Sequence, residues 1–423
     1  MNPVKKFSPE EIVYTLENGL RVHLEPRQNY HQMAAMITVD FGARDRDFNW
    51  QGQDIHQPAG IAHFLEHRIF KQSDYDAFTK LSAYGADTNA FTSQARTTYY
   101  FNSLADNQEA LNELLSFTQE VFLTEEDVAR ESHIIMQEAD QYADDPDGQL
   151  YRGLMAQLYT QDALADEIVG DHASLTAISM ADIQTAFDAF YQPQNMDIYI
   201  AGAFDVEKTK ATIAASLAGQ RPFQEVATRL PIKHHESDEE PLFIDIPTNR
   251  NKVALGMRWD NKGVLATGKE ALREILAVSL ALDLVFGEFS STYMDWYNNG
   301  LIDDNFAVDM EWERGFAFIS VVGDTGEVDE FVGEIKRVLA DLPNQFEVVK
   351  ESFQYAKLDA LSRAIQRLNF LEGVVTHFEG QTFAESTIAD DIKILRELTV
   401  DDVANILAQG PQNKIVEIVA QAN

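Results

Sequence analysis

Two histidines four residues apart enclose a glutamate in the run His63-Phe64-Leu65-Glu66-His67. On an α-helix this spacing sets both imidazoles on one face, one turn apart, where they can ligate a single metal ion. Glu66 follows His63 by three residues and shares that face, so its carboxylate can take a proton from a water activated there. The order H-x-x-E-H inverts H-E-x-x-H, in which the same three groups serve hydrolysis at zinc. Short motifs also arise by chance, and two histidines still need a third protein ligand.

The composition limits what else the chain can do. None of its 423 residues is cysteine, which removes disulfides, thiolate ligands and a thiol nucleophile, and leaves His, Asp and Glu as the strong ligands. A net charge of −36 would repel a phosphate backbone, so nucleic acid is excluded as a partner. That charge keeps a protein in solution, and it is also compatible with steering basic or neutral peptides. Hydrophobic content of 45% with 24% charged residues describes an ordinary globular protein, and the length predicts two domains. No apolar run approaches the ~20 residues that span a bilayer, and Met1–Glu11 has no apolar signal segment. The expectation is a cytoplasmic protein that does not bind membranes.

Outside the motif, Val13–Leu24 alternates around Asn18-Gly19 and predicts a hairpin. A strand follows at 34–41, and Gln57-Pro58-Ala59-Gly60 punctuates the chain before the motif helix, which Ile61, Phe64, Leu65 and Ile69 seat on a core. Thr124-Glu125-Glu126-Asp127 reads as a capped helix start, with the helix running to about Tyr142 and ended by Asp144–Gly148. Further helices are expected at 149–160 and 180–191, with a strand at 196–201. Residues 221–241 are polar and Pro-punctuated, and predict a linker; its His234-His235 pair cannot share a face and reads as solvated. Beyond it, strands at 242–246 and 253–259, a helix at 268–284, a hairpin over 304–310 and 316–322, and helices at 328–341 and 347–370 repeat the outline. The order predicts an α+β chain of two similar domains, 1–220 and 242–423, each a largely antiparallel sheet with helices on one face.

The third ligand must come from elsewhere in the chain. Glu131 and Glu138, seven residues apart, lie two turns apart on one face of the 124–142 helix. Either could ligate while the other orients a histidine ring, and an ordinary solvated acidic face is the plain alternative.

H-x-x-E-H followed some seventy residues later by Glu-x6-Glu resembles the pitrilysin and mitochondrial-processing-peptidase family of zinc peptidases. Gly60-Ile61-Ala62 before the motif, Phe70-Lys71 after it, Gly85–Ser93 with Arg96–Phe101, and Tyr191–Met196 leading to Gly202 carry the resemblance over about 12–205. Beyond that it is only architectural. It implies one zinc per chain held by His63, His67 and Glu138, with Glu66 as general base and Glu131 orienting a histidine. It further implies that the strand Asn89-Ala90-Phe91-Thr92 pairs with the substrate backbone, Asn89 holding a carbonyl. His67 and Glu138 stand a few residues closer than is usual in the family, which a trimmed loop before Thr124 accounts for.

The second half departs from the pattern. In one-chain and homodimeric relatives an Arg followed seven residues later by a Tyr holds substrate and stabilises the oxyanion. Aligned from Gly300, those places hold Trp296 and Asp303, neither of which can act as the cation or the phenol donor. The chain is therefore most similar to bacterial zinc-bearing subunits that work with a paralogous, zinc-less partner. A heterodimeric zinc endopeptidase acting on short unfolded peptides is the expectation. A homodimer, or a peptide-binding scaffold subunit with little turnover, are the alternatives.

Overall fold

The computed structural model describes residues 11–232, 240–260, 264–411 and 413–422. The hairpin around Gly19, whose φ of +89° only glycine adopts readily, pairs Ile12–Thr15 with Arg21–Pro26. These two strands begin a six-stranded sheet that continues through Met196–Gly202, Gln32–Val39, Thr97–Leu104 and Ala86–Thr92, the last forming an edge. Every pairing in it is antiparallel except Arg21–Pro26 with Met196–Gly202. The second half builds a five-stranded sheet in the order Leu242–Ile244, Ile415–Ala420, Asn251–Arg258, Phe316–Thr325, Ala307–Glu313, again with one parallel pairing. Two similar, largely antiparallel α+β halves are present as expected.

Side-chain alternation along each strand shows what covers each face. Met33, Ala35, Ile37 and Val39 pack with the first half's own helices, through Ile61, Phe64, Leu111 and Phe187. Their neighbours Ala34 and Met36 point the other way, onto Leu371, Val374 and Val375 of the second half. The second sheet reciprocates. Leu255 and Met257 join its own Gly268–Val285 helix, while Ala254, Phe318 and Ile418 pack under Leu150, Leu154, Met155 and Leu158 of the first half. Helices therefore lie on both faces of each sheet, and the helix on the second face is lent by the opposite half. Two glycines permit this approach: a Cβ on Gly256 would meet Leu154 at 2.5 Å, and one on Gly202 would meet Leu371 at 2.8 Å.

Besides this covering of both faces, where helices on one face were expected, three details differ from expectation. Asp145 does not end a helix but starts one: it caps Pro146–Leu158, with Pro146 in the first turn. The 347–370 helix is divided into Leu342–Val349, a 3-10 turn at Lys350–Ser352, and Phe353–Arg367. In the expected linker, Thr228–Arg229 pairs with Asp47–Trp50, which also pairs with Gln53–His56 in a small third sheet, and Ile232 is buried beside the second sheet. Pairing with a distant strand leaves no local sequence period, so this was not legible. His234 and His235 lie outside the described residues. Among those described, no helix is long and apolar enough to cross a membrane.

Candidate metal centre

The motif helix spans Ile61–Ile69 and begins at Gly60, whose φ of +87° and close approach to Val169 and Gly170 leave no room for a side chain. Its apolar residues anchor it beneath the first sheet, and this turns His63, Glu66 and His67 toward the Glu125–Ala143 helix. That second helix is started by Thr124, whose hydroxyl accepts from the Asp127 N–H, with three acids complementing the positive end of the helix dipole.

The two helices bring His63, His67 and Glu138 together, with one donor atom from each within 4.8 Å of the others. His63 Nε2 is 3.7 Å from Glu138 Oε1, and His67 Nε2 is 3.6 Å from Glu138 Oε2. Glu131 does not face that point. Its Oε1 lies 3.0 Å from His67 Nδ1, a bond that fixes the ring and leaves Nε2 free as a donor. Arg68, buried on the motif helix, stands 3.9 Å from the other Glu131 oxygen. The choice that spacing left open between the two glutamates is thus a division of position: Glu138 faces both histidines and Glu131 stands behind one.

Electrostatics follow the same division. Burial, and then the charge of His67, push His63 down to about 3, so its imidazole is neutral and free to ligate. Burial also disfavours the His67 cation, but the Glu131 bond and the carboxylates of Glu66, Glu131 and Glu138 outweigh it and raise its pKa. Glu66 is raised chiefly by burial, against the hydrogen bond it accepts from Thr92, which suits a group that must take up and return a proton. A zinc ion fits this donor set: two Nε2 atoms and a carboxylate converge, and each histidine presents the same nitrogen.

A cavity of about 540 Å³ opens on these groups. Asn89, Ala90, Phe91 and Thr92 form one wall, the exposed edge of the first sheet. Thr92 turns its hydroxyl inward, 2.5 Å from Glu66 Oε2. Asn89 accepts from the N–H of Ala90 at 2.9 Å, so its carboxamide lies along the edge. The far wall was not foreseen. It carries Tyr142, Tyr151 and Arg152, with Tyr151 2.9 Å from Glu311 of the second half. Recognising Asp145-Pro146 as a helix start would have placed Tyr151 one turn into that helix. Glu311, coming from the second sheet, left no local signal. Trp296 and Asp303 are engaged elsewhere: the Trp296 indole is buried and donates to Glu334, and Asp303 pairs with Arg250.

A two-half α+β chain carrying two histidines, a distal glutamate and a buried carboxylate over a cleft has the donor set of a metal-dependent hydrolase. Residues 21–172 match the family model described as "Insulinase (Peptidase family M16)", and residues 177–358 match "Peptidase M16 inactive domain". The chain belongs to peptidase family M16. It is 30% identical over 419 residues to the uncharacterized zinc protease YmfH of Bacillus subtilis, covering 97% of this chain and 96% of that protein. It is 25% identical over 398 residues to "Probable mitochondrial-processing peptidase subunit beta, mitochondrial" of Arabidopsis thaliana, covering 91% and 70% respectively. A solved M16-like peptidase from Alicyclobacillus acidocaldarius superposes with a TM-score of 0.90 at 28% identity, over 98% of this chain and 99% of that one.

Proposed function

We propose that this chain is the zinc-bearing subunit of an endopeptidase that hydrolyses short unfolded peptides in the cytoplasm. The observation that carries the proposal is the meeting of His63, His67 and Glu138 beside Glu66 at the mouth of a cavity walled by an edge strand. His63, His67 and Glu138 hold one zinc, and Glu131 orients His67. When bound, zinc supplies the Lewis acidity that activates water near neutral pH. Glu66 takes the proton from that water and returns it to the leaving amine, with Thr92 holding the carboxylate in place. The peptide lies along Asn89–Thr92 as an added strand, and main-chain bonds grip it with little regard to sequence.

The oxyanion donors come from a paralogous, zinc-less partner in a heterodimer. The engagement of Trp296 and Asp303 elsewhere supports this, since neither position offers the expected donor. Glu66→Gln is expected to keep the zinc at His63, His67 and Glu138 and lose cleavage by roughly 10²–10⁴-fold; substantial residual turnover refutes the role of Glu66. Copurification from the native host, with peptide cleavage measured with and without the copurified chain, tests the partner. A kcat/KM typical of zinc peptidases for the isolated chain refutes the heterodimer and leaves a homodimer.

A second reading, a peptide-binding scaffold with little turnover, is favoured by the match of 177–358 to an inactive domain. Metal analysis of the chain beside its His63→Ala, His67→Ala variant separates the two: a chain that loses no zinc on that substitution is the scaffold.

A further inference from the structure

Among the described residues, one other place brings a histidine and carboxylates within ligating distance. On the face of the first sheet that the second half covers, single donor atoms of His23, Asp197 and Glu385 lie within 4.8 Å of one another. The His23 side chain is fully buried, and neither ring nitrogen has a hydrogen-bond partner. Its Nε2 stands 3.9 Å from Asp197 Oδ1 and 3.8 Å from Glu385 Oε2, and its Nδ1 stands 3.9 Å from Glu11 Oε1. These separations are too long for hydrogen bonds, but they suit donors arranged around a shared cation. A buried imidazole with both nitrogens unsatisfied calls for a ligand, and the groups it faces are anionic.

We propose that His23, Asp197 and Glu385 form a second divalent-metal site, taking zinc or a related first-row transition ion through one nitrogen and two carboxylate oxygens. Glu11 is the acid that faces Nδ1 of His23, at 3.9 Å, whereas Glu131 is bonded to Nδ1 of His67 at 3.0 Å. Arg21 holds both oxygens of Asp197, at 2.7 and 2.6 Å, and Gln381 donates to Glu385 Oε1 at 2.8 Å, leaving Oε2 for the cation. The Arg21 charge makes this site weaker than the first. Phe378 closes it from below, with its ring 4.5 Å from that of His23. Glu385 reaches in from the second half on two successive non-glycine residues of left-handed φ, +52° at Ala384 and +57° at Glu385, a conformation that needs stabilising contacts. A cation here ties a strand of the first sheet to a loop of the second half.

Zinc(II) and manganese(II), added to the full chain and desalted, are the probes. The chain carrying His63→Ala and His67→Ala is expected to keep one zinc, against two in the unsubstituted chain, and to gain Tm on zinc addition. Adding Glu385→Gln, a change on a partly exposed loop, is expected to weaken that zinc by roughly tenfold or more and to abolish the gain in Tm, with circular dichroism confirming the folded chain. The site is overturned if the His63→Ala, His67→Ala chain takes up neither metal at micromolar concentration, or if Glu385→Gln changes neither stoichiometry nor the gain in Tm.

Discussion

The hydroxyl of Thr92 lies 2.5 Å from Oε2 of Glu66 and ties the last residue of the edge strand to the carboxylate assigned as base. That bond stabilises the charged form and so works against the rise that burial imposes on Glu66. Thr92→Val should therefore raise the Glu66 pKa further and move the acidic limb of the pH–rate profile upward. Losing this hold on the carboxylate is also expected to lower kcat. An unmoved acidic limb in a folded, zinc-loaded variant would assign Thr92 to packing alone.

Glu138 and Glu131 should fail differently. Glu138→Gln removes a donor that faces both histidines and is expected to abolish tight zinc binding at His63 and His67. Glu131→Gln leaves all three donors and should weaken zinc by roughly 10–100-fold, the usual effect of losing a partner behind a ligating histidine. It also takes away the contact that raises the His67 pKa, so zinc uptake should persist to lower pH relative to its own maximum. Titrations of zinc affinity against pH on the two variants check both points.

Glu311 links stability to pH. Burial, with Asp309 and Glu313 nearby, raises it from 4.5 to about 7 despite the bond from Tyr151. The folded state binds this proton more tightly than the unfolded one, so the contribution is complete below pH 4.5 and is lost as pH climbs through about 7. Glu311→Gln should flatten that fall and exceed the parent by about 2 kcal/mol at pH 8, after allowing for its partial exposure. Denaturant unfolding at pH 5 and pH 8 gives the comparison.

The halves should not fold apart. Leu150, Leu154, Met155 and Leu158 are buried against the second sheet. At roughly 1.5–3 kcal/mol for each buried side chain, their loss rivals the whole stability of a typical domain, about 5–15 kcal/mol. Fragments 1–232 and 241–423 expressed separately should be insoluble or molten, and should recover near-native circular dichroism and zinc content when coexpressed. Cooperative unfolding of either fragment alone would contradict this.

Much of the site was legible because its parts are local. His63, Glu66 and His67 share one helical turn and a half, and Thr124 announces the helix that carries Glu131 and Glu138. Spacing could not say which glutamate faces the histidines, since residues seven apart differ only in depth along one face. The resemblance named Glu138, and in the structure Glu138 lies 3.7 and 3.6 Å from the two Nε2 atoms while Glu131 bonds His67 Nδ1. What escaped was non-local. Periodicity shows that 146–158 has an apolar face but not which sheet it covers, and so Tyr151 and its partner Glu311 were missed. His23 reads as one residue of an alternating strand, and only the fold sets Glu385 beside it.

The exchange of helices also decides where such a protein can open. Parting the two halves would lift Leu154 from Gly256 and Leu371 from Gly202 in the same movement, so these two close approaches must be given up together. If the proposed partner closes over the cavity beside Asn89–Thr92, the peptide is expected to enter at the seam between the two chains. In that assembly entry depends on how often the seam breathes, and a covalent crosslink across it is expected to stop cleavage without touching a single metal ligand.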